Sequence, residues 1–474
     1  MRRLLTTAWM MTVSRNGSKR MSNQQRRPNI AVIGGGAAGL AATRILQRSP
    51  AMTDITLLER DTTVGGVWNY DEGNPRKPMY KRLRTNLPKE IMAFREFPWP
   101  ATDGSFLSHQ CVQAYLQEYC GRFGLGEYLH SNCCVDQLTR LPESESLVSP
   151  AGESWPRLRL EWRGQNVDGV ESHHSDTFDA VFVCNGHYNC PRIPEIPGLK
   201  EHFRGQVVHS IEYDVPETFS GQRVLCVGGR ASGSDIAREI ASQPGTTVYV
   251  SDTTFSATQP ISAHNVTWTS RTTAILPDGR VSFAPGAGDE EQRHIDPVAF
   301  DTIIWCSGYD YQFPFINEKS GIELDARSRR CTPLFEQLWH AELPNVAFVG
   351  LPHTVLPFPL FELQAEAVER SWRGDAILPP LPERRSHAAA AAMSGGRGKQ
   401  NGRVPDDTHY LGDAQWDYCR DMARYANLLD TKVEAYLDMN QVRGYCRFLY
   451  AFAFFRLSST SDFLCVVRLR VEDL

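Results

Sequence analysis

Short apolar runs recur along the chain, each ending in glycine or an acid and then giving way to a helical pattern. "IAVI" at 30–33 is β-branched and apolar, the signature of a strand buried on both faces of a parallel sheet. It runs into three glycines, and Ala- and Leu-rich residues follow at helical spacing up to Leu46. "DITLLER" at 54–60 reads as the next strand. The same order returns in "QRVLCVGG" at 222–229, "ASGSDIAREIA" at 231–241 and "TTVYVSDTTF" at 246–255. Further strands are expected near 301–306 and 345–350. Two strand–helix–strand sets predict an α/β chain with two dinucleotide-binding, Rossmann-like domains. Residues 376–407, rich in Pro, Ala and Gly, are expected to be a disordered insertion, and 408–474 a helical C-terminal region.

The glycines carry the first chemistry. Gly34, Gly36 and Gly39 stand at G-x-G-x-x-G spacing between a strand and a helix. The first allows a tight turn, the second a close approach of backbone to a pyrophosphate, the third close helix–strand packing. Glu59, twenty residues past Gly39, is placed to accept from a ribose hydroxyl. "TTVGGVWNY" at 62–70 follows without a neighbouring cysteine, so thiol–disulfide exchange lacks its reagent there.

In the second loop Gly228 and Gly233 keep the outer slots, but Arg230 replaces the middle glycine. A left-handed backbone at Arg230 would cost about 1–2 kcal/mol, which a guanidinium–phosphate bond of about 1.5–3 kcal/mol could offset. Ser232 is a candidate helix cap. Asp252, nineteen residues past Gly233, suits a ribose hydroxyl and repels a 2′-phosphate.

Composition narrows the classes. A net charge of −5 offers nothing to nucleic acid. Twelve cysteines without a Cys-x-x-Cys pair argue against zinc and fit a reducing compartment, the cytoplasm. No stretch reaches the roughly 18 apolar residues of a membrane span. The first 27 residues hold seven Arg or Lys and no acid. They read as an unstructured extension, with Met21 as a candidate start; a mitochondrial presequence is the alternative, and peripheral attachment to the endoplasmic reticulum another.

"LRTNLPKEIMAFREFPWP" at 83–100 and "FRGQVVHSIEY" at 203–213 resemble the flavin-containing monooxygenases. The second stretch matches that family's F-x-G-x-x-x-H-x-x-x-[YF] pattern at Phe203, Gly205, His209 and Tyr213. The segments at 301–315, 345–367 and 409–426 share the likeness. The resemblance implies an FAD domain from 28–200 and 300–375, with an NADPH domain of 201–299 inserted between crossings at 184–198 and 301–315. It implies FAD contacts from Gly34, Gly35, Gly36, Ala37, Ala38, Gly39, Glu59, Arg60, Gly66, Val67, Trp68, Asn86 and Leu87. NADPH contacts would come from Thr85, Asn86, His209, Gly228, Gly229, Arg230, Ala231, Ser232, Gly233, Ser234 and Asp235. For His209 a linker role competes with coenzyme contact.

Asn86 is the implied catalytic residue. The implied reaction is an N,N-dimethylaniline monooxygenase-like one: NADPH and O2 oxygenate the nitrogen of a small amine or the sulfur of a thioether through a flavin C4a-hydroperoxide. A homodimer is one open arrangement. Two other readings stay open: an NAD(P)H oxidase releasing hydrogen peroxide, and a non-catalytic nucleotide-binding relative. Asp252 and Arg230 also leave NADPH against NADH open, with relaxed coenzyme choice and Arg271 as a second candidate for the phosphate.

Overall fold

Two mixed sheets with parallel centres, each with a glycine turn at its middle, organise the chain. The computed structural model describes residues 27–429 except 50–53, 75–76, 101–103, 151, 166–169, 256–259, 264, 286–294, 327–328, 395–396 and 398–406, together with 434, 437 and 438. The expectations for the basic N-terminal extension and for 439–474 lie outside the described residues.

In the first unit, β1 (Asn29–Ile33) lies between β2 (Asp54–Leu58) and β4 (Ala180–Val183), all parallel. β3 (Leu129–His130) extends the β2 side. In the second unit, β6 (Arg223–Val227) lies between β7 (Thr247–Ser251) and β10 (Thr302–Trp305), again parallel. Its remaining strands are β5 (Gln206–His209), β8 (Ile261–Ala263) and β9 (Val266–Thr269). The first sheet is completed by β11 (Leu334–Phe335), β12 (Trp339–His340) and β13 (Val346–Phe348), in the order β11-β12-β13-β4-β1-β2-β3. Both central strands have successors on both sides, so each carboxyl end is a topological switch point where a ligand crevice opens.

Burial explains the strands. Ile30, Val32, Leu57, Val181 and Phe182 are fully enclosed, as are Val224, Leu225, Val248 and Ile303. Helix α1 (Ala37–Arg48) packs its Leu40 and Leu46 face against α4 (Pro357–Arg373), while α2 (His109–Arg122) covers an aromatic cluster of Phe94, Tyr115, Tyr119 and Phe358. Helix α3 (Ala231–Ala241) lies on the second sheet through Ile236 and Ile240.

Two expectations need correction. The strand near 301–306, assigned to the first unit's second half, is β10, which pairs with β5 and β6 and therefore belongs to the second sheet. Sheet membership is a matter of register between distant strands, which an apolar run does not disclose. The stretch 376–407 is not wholly irregular: Leu381–Ser394 forms α5, because its alanines are the strongest helix formers. Arg384 anchors that helix, donating to the carbonyls of Ala341 (2.9 Å) and Pro379 (2.8 Å) and pairing with Glu153 at 2.8 Å. At the C-terminus, α6 (Gln415–Tyr425) packs on α4.

One buried ion group ties the aromatic segment to α4. Arg95 donates its amide (2.9 Å) and Nε (3.3 Å) to Glu362, and its other arm pairs with Glu366. Burial raises the Glu362 carboxyl to about 7, and the Arg95 charge opposes that rise. Removing one member of such a group leaves an uncompensated buried charge. Arg95→Met should therefore cost about 3–5 kcal/mol in urea denaturation followed by tryptophan fluorescence. A loss below about 1 kcal/mol would mean that solvent already screens the pair.

Candidate active site

Gly34 adopts φ +103, and a Cβ there would meet the Cys184 carbonyl oxygen at 2.5 Å. A Cβ at Gly39 would overlap the Gly34 carbonyl oxygen. Gly36 differs: at φ −73 and ψ −173 any residue fits, and a Cβ would find only Gly66 Cα at 3.5 Å. Packing within the protein therefore does not require a glycine here. Helix α1 starts here with no side-chain cap and no acid in its first turn. The N–H groups around Ala37 and Ala38 and the positive helix end are thus directed at an anion.

Glu59 closes the other end of this cradle. Its Oε2 accepts from the Gly35 amide at 2.5 Å and its Oε1 from the Asp61 amide at 2.8 Å. Burial raises its carboxyl above the ordinary value, and those two amides counter the rise. Each carboxylate oxygen keeps a lone pair for a hydroxyl. The Gly65 amide donates to the Gly35 carbonyl at 3.0 Å, which brings Gly66, Val67 and Trp68 alongside as a single 3₁₀ turn. Arg60 is exposed.

Thr85 is locked to Leu107 by its amide (2.8 Å) and its hydroxyl (3.0 Å), which fixes the next residue. The Asn86 side chain is exposed and makes no hydrogen bond among the described residues, while Leu87 packs inward. A bare glycine face, an uncapped helix and a ribose-directed acid fit FAD.

The second loop repeats the first. Gly228 has φ +111, and its Cβ would meet the Cys306 carbonyl oxygen at 2.5 Å. A Cβ at Gly233 would overlap the Gly228 oxygen, and the Gly228 amide donates to Ser251 as Gly34 does to Leu58, both at 2.8 Å. Arg230 takes the place of Gly36 with φ −77 and ψ −164. The expected left-handed cost is therefore absent, since this slot never needed positive φ in either loop. Its guanidinium lies 6.0 Å from the Tyr410 ring centre.

Ser232 does not cap the helix; α3 has no side-chain cap, and Ala231 and Ser232 form its exposed first turn. Ser234 instead donates its hydroxyl to the Gly229 carbonyl at 2.7 Å. Asp235 accepts from the Tyr80 hydroxyl, tying α3 to the first unit. His209 is buried, with Nε2 at 3.1 Å from the Gly308 carbonyl and Nδ1 accepting from Ile211 at 3.1 Å. One ring nitrogen is spent on the crossing and the other on the turn that follows, so both are engaged within the protein.

A further group went unassigned in the sequence. His187 and Tyr188 follow β4, and the His187 ring lies 5.2 Å from Tyr311, its pKa lowered to about 3 by burial. His353 pairs with Asp407 at 2.7 Å, and the His353 amide donates to the His409 carbonyl at 3.0 Å. This clasp holds Tyr410 at the first sheet's edge. Nothing local in the sequence pairs His353 with Asp407, since a whole core helix, α4, lies between them.

Comparison with known proteins agrees with this geometry. A family described as flavin-binding monooxygenase-like matches residues 27–262. Flavin-containing monooxygenase FMO GS-OX5 of Arabidopsis thaliana is 33% identical across 92% of this chain and 93% of its own length. FMO GS-OX-like 2 of the same plant is 34% identical across 81% and 82%. The S-allyl-L-cysteine S-oxygenase of Allium sativum shares the structure at a TM-score of 0.74 and 27% identity, covering 94% of this chain and 99% of that one. Tmm of Pelagibacter sp. strain HTCC7211, at 20% identity and a TM-score of 0.68 over 84% and 86%, shows the same fold. The site is that of a flavoprotein oxygenase. The chain belongs to the flavin-containing monooxygenase family and is a flavin-dependent monooxygenase.

The contrast between Gly36 and Gly39 can be tested directly. Gly36→Ala should leave circular dichroism and the apoprotein melting curve unchanged while weakening FAD binding about tenfold or more. Gly39→Ala should lower the melting temperature of the apoprotein itself. Equal destabilisation by both would mean that Gly36 is needed for packing.

Proposed function

We propose that this enzyme uses FAD, O2 and a reduced nicotinamide dinucleotide to add one oxygen atom to the sulfur of small thioethers, with amine nitrogen as a second substrate class. NADPH is the reductant that family resemblance implies. The observation that carries the reading is the joining of two dinucleotide cradles into one body. Tyr80 meets Asp235 and packs edge-on against Tyr213 with ring centres 5.2 Å apart, and Tyr70 donates to Asp214 at 2.9 Å. Sulfur is favoured because the garlic relative with the 0.74 TM-score carries S-oxygenase in its name.

FAD, when bound, supplies hydride acceptance and oxygen activation. The α1 N-terminus and Gly36 hold its pyrophosphate, and Glu59 its ribose. The α3 N-terminus and Gly228 do the same for the nicotinamide coenzyme. Asn86 offers an amide that donates and accepts without titrating, suited to orienting reacting atoms at the flavin. Burial keeps His187 neutral, so it brings no charge to the edge of the first sheet. Trp68 and Leu87 contribute apolar surface that limits water.

The test follows coenzyme consumption, thioether oxygenation and peroxide together. Sulfoxide formation should match coenzyme consumption in the wild type. Asn86→Ala should retain FAD yet lower sulfoxide formation at least about tenfold, with peroxide rising in its place. Wild-type turnover recovered wholly as peroxide would identify an oxidase, and no consumption with FAD bound would mark a non-catalytic relative.

A further inference from the structure

The two glycine loops match in their outer glycines and in the placing of an acid at the end of the following strand, although Glu59 is held by the Gly35 amide and Asp252 by Thr254. Gly34, Gly36 and Gly39 correspond to Gly228, Arg230 and Gly233, with the same φ signs and the same carbonyl oxygens in the way of a Cβ. A Cβ at Gly35 would meet Glu59 Oε2 at 3.1 Å, and one at Gly229 would collide with Asp252 Oδ2. Asp252 therefore stands beneath its loop as Glu59 stands beneath the first. Its Oδ1 accepts from the Thr254 amide at 2.7 Å and hydroxyl at 2.8 Å, which fixes the carboxylate with Oδ2 beside Gly229.

An acid in this place accepts from ribose hydroxyls and opposes a phosphate on the 2′ oxygen. Arg230 does not supply the counter-charge there, since its guanidinium lies over Tyr410 of the C-terminal segment. Arg271 does stand at this edge. It is exposed and follows β9 by two residues beyond Thr269, whose carbonyl accepts the Asp252 amide at 3.1 Å.

We propose that Asp252 is the specificity-determining residue for the coenzyme and makes this enzyme accept NADH at least as well as NADPH. The inference rests on the nicotinamide-dependent reading above. Asp252 receives the adenosine ribose of NADH, and Arg271 is the charge by which NADPH is tolerated.

The test is calorimetric binding of NAD+ and of NADP+ to the FAD-loaded enzyme, which needs no turnover. The wild type should bind NAD+ no more weakly than NADP+. Asp252→Ala should weaken NAD+ about tenfold or more while leaving NADP+ unchanged or tighter, and Asp252→Glu should restore NAD+. Arg271→Ala should weaken NADP+ alone, and it probes the same edge if the Asp252 variants do not fold. Wild-type binding of NADP+ about tenfold tighter than NAD+, or equal loss of both in Asp252→Ala, overturns the assignment and leaves the oxygenase reading standing. Binding of neither coenzyme overturns the reading beneath it.

Discussion

No side chain fits between Gly39 and the carbonyl oxygen of Gly34, nor between Gly233 and that of Gly228. That closeness lets each helix start directly above its strand, with free N–H groups at the carboxyl edge of a sheet. Everything else at the site is arranged around these two starts. In the proposed reading the positive helix ends receive the phosphates and the acids at the next strand ends the ribose, and the crossings hold the two starts in one body.

The crossings are more than connections. Pro191 and Tyr309 form an antiparallel bridge, the Arg192 amide donates to the Gly308 carbonyl at 3.0 Å, and Asp310 donates back to Cys190 at 2.9 Å. His209 adds its ring to the same carbonyl of Gly308. Two strands of chain leave and re-enter the first unit side by side, so the second unit is held by a bonded ribbon. Tyr80 packs edge-on against Tyr213 at 5.2 Å and seals the contact beside it.

How much of this was legible in the sequence differs by residue. The outer glycines were, because close approach and positive φ exclude every other side chain. Glu59 was, because its distance from Gly39 along the chain is set by one helix and one strand. Arg230 was legible as a departure but misjudged in cost, since the middle slot is extended in both loops. The membership of β10 and the clasp of His353 with Asp407 were not legible: each depends on segments far apart in the chain, and neither leaves a local pattern. Helix α5 was hidden by the prolines around it and by an alanine run that shows no polar–apolar alternation.

The contacts gathered around α3 differ in kind. Tyr80 is buried with its hydroxyl bonded to Asp235 on α3, and Tyr213 beside it bonds Glu239 on the same helix, so separating the units would break the Tyr80 bond and expose a packed aromatic pair. At the start of the same helix, the Arg230 guanidinium lies 6.0 Å from the Tyr410 ring centre, and a cation–π contact at an exposed site is worth about 0.5–1 kcal/mol. Tyr410 itself is held firmly, because the Leu411 amide donates to the His353 carbonyl at 3.2 Å and Asp407 grips the His353 ring. The Tyr80 bond and the Tyr410 contact thus reach α3 from two separate segments of the chain, one before and one after the second unit. The residue in the middle slot makes the second of these contacts, where a glycine would have no side chain to offer.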